Sequence, residues 1–156
     1  MGTAAIARAL GRGALPKLTK LSLKNNNVDD NGLLALTGVA HDSIEWINLA
    51  NNQIADEGAA AMANALLLCK FEGLRRLSLD HNQLGDGAMD SLASALEKGV
   101  ELQELYVGFN PASNDAIARV HALTGEEEEL KAPRPQSACE KVSLSLHDAI
   151  STCVLQ

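Results

Sequence analysis

Four stretches of the chain repeat one spacing of apolar residues and asparagine. In each stretch three aliphatic residues are separated by intervals of three and then two, and an asparagine follows three residues after the last of them. The stretches cover residues 18–28, 44–54, 74–84 and 102–112, and their asparagines are 26 to 30 residues apart. Alternate apolar residues predict a short strand with one buried face. A period of this length is typical of a solenoid and is too long for a coiled-coil heptad.

A helix pattern follows each strand pattern. Four residues after each asparagine stands a residue type that caps helix N-termini, namely Asp30, Asp56, Asp86 or Asn114. Ten residues after it stands an apolar residue suited to a helix core position, namely Leu36, Met62, Leu92 or Val120. We therefore predict helices over about residues 31–39, 57–70 and 115–123, and a helix in the third repeat that ends at Glu97-Lys98-Gly99.

This combination of strand, asparagine and helix resembles the leucine-rich repeat family. The long period is similar to its ribonuclease-inhibitor type, which also occurs in NOD-like receptors and Ran GTPase-activating proteins. The resemblance covers roughly residues 2–123. It implies an α/β fold, a solenoid of right-handed strand-helix coils with a concave parallel sheet and convex helices. Burial of the apolar residues requires the same arrangement, because a short strand needs a helix to cover it and a neighbouring coil to cover both.

The repeats divide the chain into three parts. Residues 18–124 hold the four repeats, and residues 1–17 match the helical half of a repeat whose strand is missing, since Gly2 aligns with Gly58 without a gap. Solenoids normally need a polar capping coil for solubility. We therefore expect a fragment of a longer protein, with an incomplete gene model or an end covered by another chain as the alternatives. The uncapped coil also suggests self-association.

Residues 125–156 no longer follow the period. They contain an acidic run at Glu126–Glu129 and a proline-rich connection over 131–135, which favours a flexible tail. The alternative is a degenerate closing strand, because Cys139, Val142, Leu144 and His147 repeat the strand spacing with histidine in place of asparagine.

Composition narrows the classes of function. The net charge of −7 argues against a nucleic-acid surface, and no apolar run is long enough to span a membrane. Glycine follows Met1, but Ile6 stands where myristoylation prefers serine or threonine, and there is no secretory signal pattern. The three cysteines, Cys69, Cys139 and Cys153, lack the spacing of a disulfide framework or zinc site, and Cys69 is interpreted as a small buried apolar group. We predict a cytoplasmic location, no metal and no cofactor.

The four asparagines that close the strands are interpreted as structural. The backbone must leave the sheet at these points, and a buried carboxamide can satisfy backbone groups of neighbouring coils. The predicted asparagine ladder consists of Asn26, Asn52, Asn82 and Asn110.

The residues that alternate with the buried aliphatics are predicted to form the concave surface. Three of the four aromatic residues fall on or beside it, and aromatic residues next to basic ones are common anchors of protein interfaces. The predicted partner-binding residues are Trp46, Tyr106, Phe109, Lys20, Lys24, Arg76, Asp80, His81 and Glu104. The alternative is that one or two of the aromatics are covered by a neighbour or by the tail.

No set of residues predicts an enzyme. His81 stands beside Asp80, but no nucleophile joins them, and the phosphate-binding glycine motifs are absent from the sequence. We therefore predict a protein-interaction module whose rigid concave sheet binds a protein partner. The alternatives are a regulator of a small GTPase, by resemblance to the Ran GTPase-activating family, and a structural segment of a larger repeat scaffold.

Overall fold

Strands and helices alternate along the whole described chain. The computed structural model describes residues 2–12 and 15–124. The helices are α1 (Gly2–Gly11), α2 (Asp30–Thr37), α3 (Asp56–Leu67), α4 (Asp86–Glu97) and α5 (Asn114–Thr124). The strands are β1 (Lys20–Ser22), β2 (Trp46–Asn48), β3 (Arg76–Ser78) and β4 (Glu104–Tyr106). The predicted tail and closing strand, over residues 125–156, lie outside the described residues.

The four strands form one parallel sheet in sequence order, β1-β2-β3-β4. Each strand pairs with the next without any stagger, so that Lys20, Trp46, Arg76 and Glu104 lie in one row across the sheet. We call one strand with the turn and helix that follow it a coil, and number the coils one to four. The α/β solenoid predicted from the repeat pattern is confirmed.

The core lies between the sheet and the helices. Ile47, Leu49, Leu77 and Leu79 are completely buried, as the alternation of apolar residues predicts. Helices α3 and α4 add buried alanines beside Met62 and Leu92, and these small side chains let the helices approach the sheet closely. Among the tryptophan, tyrosine and phenylalanine residues of the described part, only Phe71 is buried.

The helices differ in length, and α3 is shorter than predicted. It ends at Leu67 because Cys69 adopts a left-handed conformation with φ 55°, and the N–H of Lys70 then donates to Ala65 O at 3.0 Å. Gly99 closes α4 in the same way, with φ 97°. This is the Schellman termination, which favours glycine.

The interpretation of Cys69 as a small buried group is wrong. Its side chain is partly exposed and disulfide-bonded. The two other cysteines of the chain lie outside the described residues.

Three of the strand-closing asparagines, Asn52, Asn82 and Asn110, bond to the coil before them. Asn52 Nδ2 donates to Leu23 O at 3.0 Å and to Leu49 O at 2.9 Å, and its Oδ1 accepts from Val28 N at 3.0 Å. The same contacts, one coil further along, join Asn82 to Leu49, Leu79 and Ile54, and Asn110 to Leu79, Val107 and Leu84. Each carboxamide thus satisfies backbone groups that have left the sheet, which would otherwise be costly to bury.

Aspartates form a second row of contacts between coils. Asp30 Oδ1 accepts from Ala55 N at 2.8 Å, Asp56 Oδ1 from Gly85 N at 2.7 Å, and Asp86 Oδ1 from Ser113 N at 2.7 Å. The sequence-based assignment of these aspartates as N-caps is wrong by one position. They are the first helical residues, and each bonds the N–H of the residue that precedes the next helix. A carboxylate here also lies favourably near the positive ends of two helix dipoles.

Glycines make room for the aspartate row. A Cβ on Gly58 would stand 2.5 Å from Asp30 Oδ1 and 3.2 Å from its Cα. A Cβ on Gly87 would stand 2.8 Å from Asp56 Oδ2. The small residue therefore lets the helix start pack against the preceding aspartate.

Both ends of the described solenoid have additional polar contacts. At the first coil, His41 Nε2 lies 3.0 Å from Leu15 O, and Ser43 Oγ donates to Leu18 O at 3.0 Å. At the last coil, Arg119 bonds Glu97 at 2.8 Å and Asp90 at 2.9 Å and so joins α5 to α4. The hydrogen bond to Glu97 and the charge of that carboxylate raise the pKa of Arg119 above its ordinary value.

Replacing Asn82 by leucine should destabilise the protein by about 2 kcal/mol, because it leaves the buried N–H of Ile54 without its partner and removes one of the two carboxamide donors to each of the carbonyls of Leu49 and Leu79. The control is Asn26→Leu, since Asn26 is exposed and bonds only its own coil within the described chain. That variant should lose about 1 kcal/mol or less. Urea unfolding of both variants measures the difference, and equal losses would contradict the role of the cross-coil bonds.

Asp56→Ala should lower the free energy of unfolding by about 1 kcal/mol, the usual effect of removing a side chain that satisfies a helix-terminal N–H. Glu57→Ala is the matched control. It removes the same charge from the same turn, but Glu57 makes no hydrogen bond to the residues that the structure describes. Thermal unfolding should therefore separate the two variants, and an equal shift would show that charge alone is responsible.

Candidate functional site

The concave surface is built from the strand residues that point away from the helices. The exposed residues among them are Lys20, Ser22, Lys24, Arg76 and Tyr106, and the half-buried ones are Trp46, Asn48, Asp80, Glu104 and Gly108. Ala50 and Ser78 also belong to this face by sequence, but neighbouring side chains bury them to 6% and 7% exposure. The surface available for contact is therefore interrupted near the middle of the sheet.

Three side chains form a polar cluster on β3 and β4. Arg76 Nε lies 3.0 Å from Glu104 Oε1, and the Tyr106 hydroxyl donates to Glu104 Oε2 at 2.9 Å. Arg76 and Glu104 face each other in the register of the sheet. Exposed ion pairs contribute little to stability, so the main effect of this one is to fix the positions of the two groups and of the tyrosine ring.

A row of left-handed residues runs along the end of the sheet. Each strand is followed, at an equivalent position, by a residue whose φ angle lies between 53° and 58°. These four residues are Asn25, Asn51, His81 and Phe109. The row continues the parallel bonding, because His81 N donates to Gly108 O at 3.0 Å. Asparagine tolerates this conformation well, whereas a bulky aromatic residue adopts it at a cost.

The last two members of this row stack on each other. The rings of His81 and Phe109 are nearly parallel, with centroids 4.3 Å apart and planes inclined by 3°. Phe109 is 79% exposed, the largest exposure of a large apolar side chain in the described part. A strained backbone that carries an exposed aromatic ring is a feature that clusters at functional sites.

Asp80 has a structural contact as well as a place on the surface. Its Oδ1 accepts from Gly108 N at 3.1 Å and so connects the turns of coils three and four. It does not form an acid-base pair with His81, whose ring lies against Phe109.

The sequence-predicted residues separate into three groups in the structure. The first group lies within the strands, the second lies two residues beyond β1 and β3, and the third belongs to the left-handed row. Their members are, in that order, Lys20, Trp46, Arg76, Glu104 and Tyr106; Lys24 and Asp80; His81 and Phe109. The sequence reasoning missed the left-handed row and the aspartate row. The signal for the first was the asparagine at the same place in coils one and two, and for the second the glycine that follows each of the three aspartates.

Other kinds of site have little support. Within residues 2–12 and 15–124, no group of histidine, cysteine, aspartate and glutamate could hold a metal ion. No described helix is long and apolar enough to cross a membrane. A groove of about 300 Å³ lies between α3 and α4, on the side opposite the sheet, and Ala63, Leu67, Ser94 and Lys98 contribute to its lining.

A family model described as "Leucine Rich repeat" matches residues 14–36, 44–63 and 74–93. These segments contain strands β1, β2 and β3 and end within the helices that follow them, α2, α3 and α4. The chain is a leucine-rich repeat protein. Repeats of this kind indicate a protein-interaction module.

Curated relatives of this leucine-rich repeat protein are similar over part of their length. RAN GTPase-activating protein 2 of Arabidopsis thaliana is 28% identical over 102 residues, which are 64% of this chain and 18% of that protein. Ribonuclease inhibitor of Mus musculus is 28% identical over 124 residues, 75% of this chain and 27% of the relative. Podocan-like protein 1 of Mus musculus is 37% identical over 106 residues, 56% of this chain and 18% of the relative.

The leucine-rich repeat chain therefore spans only about a quarter or less of these relatives. The ribonuclease-inhibitor type predicted from the repeat length is confirmed by the family model and the relatives. A solved structure, the tropomodulin C-terminal domain of Caenorhabditis elegans, superposes with a TM-score of 0.57 at 15% identity. The match covers 95% of this chain and 99% of that one, and at this identity it shows the fold alone.

Phe109→Asn should raise the free energy of unfolding by about 0.5 kcal/mol. Asparagine relieves the cost of the left-handed conformation, and the gain exceeds the loss of one exposed ring stack. Phe109→Leu is the control, because it removes the ring but keeps a bulky side chain at φ 56°. That variant should be destabilised. A loss of stability in Phe109→Asn would show that the backbone at this turn is not strained.

Proposed function

We propose that the chain binds a protein partner across its concave sheet. The observation that carries the proposal is the exposed aromatic side chain of Phe109, held in a left-handed turn and stacked on His81 at the end of that sheet. Its conformation reduces stability and its ring is mostly in water, so the fold itself gains little from it. Contact with a partner would account for both features.

Trp46 and Tyr106 are the other proposed anchors. Trp46 is half-buried and Tyr106 is 44% exposed, so each has surface left to bury in a complex. Tyr106 is also held in place by Glu104. A preformed aromatic surface loses little conformational entropy on binding, which favours affinity.

The charged residues of the concave surface favour a partner whose own charges are arranged in a complementary order. Lys20 and Lys24 lie on coil one, Arg76 and Asp80 on coil three, and Glu104 on coil four. The surface therefore changes from basic at one end to acidic at the other. We propose a protein partner that presents acidic groups to coil one and basic groups near coil four, since complementary charge selects partners and orientation.

A second candidate function is the regulation of a small GTPase. The similarity to RAN GTPase-activating protein 2 supports it, although only 18% of that relative is covered. The acidic run at Glu126–Glu129 that contributed to this prediction lies outside the described residues. Stimulated GTP hydrolysis by a purified small GTPase is the measurement that would support this function over simple binding. The structural-segment hypothesis predicts neither stimulation nor a concave-face partner.

The cytoplasmic location stays a prediction. It rested in part on the number and spacing of cysteines.

The concave-surface proposal is tested with the triple variant Trp46→Ser, Tyr106→Ser and Phe109→Ser. A partner captured from extract by the wild-type chain is purified and titrated against both proteins, after circular dichroism shows that both are folded. We expect at least a hundredfold loss of affinity, or about 2.7 kcal/mol, because aromatic anchors dominate protein interfaces.

The matched control places serine at three exposed leucines of the helical side. Leu34, Leu68 and Leu123 are 51%, 68% and 40% exposed and do not belong to the sheet. This variant also replaces three apolar side chains by serine and should bind the partner as the wild type does. Loss of binding only in the leucine variant would place recognition on the convex side and refute the proposal.

A further inference from the structure

The left-handed row is exposed along its whole length. Asn25, Asn51 and His81 are exposed as Phe109 is, although Asn51 and His81 have a coil on each side. The exposure of Phe109 therefore comes from its place in the row and does not depend on its being in the last described coil. Phe109 is also the only one of the four with a purely apolar side chain, so it offers the largest apolar surface of the row.

The Phe109 ring has one covered face and one open face. The ring of His81 covers the face toward coil three, with the two centroids 4.3 Å apart and the planes almost parallel. Because the Phe109 side chain is still 79% exposed, the opposite face is in contact with solvent. The faces of an aromatic ring carry negative partial charge, so an open face attracts a cation that can lie against it.

A carboxylate oxygen close to this ring has no partner in the described chain. Asp80 Oδ1 accepts from the N–H of Gly108, the residue before Phe109, at 3.1 Å. Asp80 Oδ2 accepts no hydrogen bond and forms no ion pair within residues 2–12 and 15–124. The other carboxylate of the concave surface, Glu104, differs in this respect, because both of its oxygens are bonded.

The cations of the concave surface lie elsewhere. Arg76 pairs with Glu104, and Lys20 and Lys24 belong to coil one, which coil two separates from Asp80. The net charge of −7 also favours a cationic ligand over an anionic one. A partner can therefore supply the positive charge that would complement Asp80.

We propose that an arginine side chain of the protein partner binds at Phe109 and Asp80. Its guanidinium lies flat on the open face of the Phe109 ring and donates a hydrogen bond from its edge to Asp80 Oδ2. The inference rests on the proposed function and names the chemical group that the concave surface recognises beside coil four.

Arginine fits this pair of residues better than lysine does. The planar guanidinium can stack on a ring and donate from its edge at the same time, whereas the ammonium group of lysine is a compact and strongly hydrated charge. The His81 ring behind Phe109 and the hydrogen bond from Gly108 to Asp80 hold both recognition groups in place before binding. Little conformational entropy is then lost when the arginine binds.

Peptide selection tests the proposal without a known partner. A random peptide library displayed on phage is first cleared of peptides that bind the triple variant Trp46→Ser, Tyr106→Ser and Phe109→Ser, and is then selected on the full wild-type chain. The surviving peptides bind the concave surface, and we expect arginine to be enriched in them well above lysine. In a synthetic copy of such a peptide, replacing the arginine by citrulline keeps the shape and removes the charge. Affinity for the wild-type chain should fall about tenfold.

Asp80→Asn locates the arginine on the chain. The carboxamide oxygen of asparagine can still accept from Gly108 N, so the turn is kept while the charge is lost. This variant should bind the arginine peptide about tenfold more weakly, and the citrulline substitution should then cost distinctly less than it does with the wild type. The matched control is Glu101→Gln, which removes the charge of an exposed carboxylate that precedes β4 and should leave the affinity unchanged.

The possible failures of the two proposals differ. Surviving peptides without a preference for arginine, or an equal cost of citrulline with the wild type and with Asp80→Asn, would overturn the arginine inference and leave the concave surface as a binding site. A library from which no peptide survives the clearing step would contradict the concave-surface proposal itself, and the arginine inference with it.

Discussion

The structure depends on satisfying the backbone groups that leave the sheet at the end of each strand. A three-residue strand bonds its neighbours over a short distance only, and the chain then turns toward a helix through the interior of the solenoid. The buried carboxamides of Asn52 and Asn82 supply both a donor and an acceptor at this point. Because Asn52, Asn82 and Asn110 each bond the coil before them, the turns of coils two to four are completed only by stacking, and folding and stacking become one event. The aspartate row adds a second connection just outside the first.

Much of the fold could be predicted from the sequence because its causes are local and repeated. The alternation of Ile47 and Leu49 with Trp46 and Asn48 identifies the buried face, and the recurring asparagine gives the register. The N-cap assignment failed at Asp56 for a physical reason. Helix-capping preferences describe the bonds that a side chain makes to the start of its own helix. The carboxylate of Asp56 instead accepts from Gly85, which precedes the next helix, and such a contact between coils is not part of a local preference.

The candidate site was predictable in outline but not in its energetics. Alternation places Trp46, Arg76 and Tyr106 on the concave side, and the structure has them there. It does not reveal that Ser78 is buried by its neighbours, nor that Phe109 lies in a left-handed turn against His81. Burial and backbone strain depend on the side chains of adjacent coils, which stand about 28 positions away in the sequence. The function of a repeat scaffold lies in such surface residues, so it is less accessible to sequence reasoning than the fold.

The equal register of the coils restricts where the chain can change its length. The spacing from each strand-closing asparagine to the start of the next helix is constant at four residues. It is constant because the asparagine row and the aspartate row both form their hydrogen bonds between coils within this turn. The differences among the coils are all found later, in a helix of 8 residues for α2 against 12 for α3, and in the segments that return to the sheet. Insertions and deletions are therefore tolerated on the return side of the solenoid and excluded from the strand-to-helix side. A loop grafted to carry a new binding sequence would fold best between a helix and the following strand.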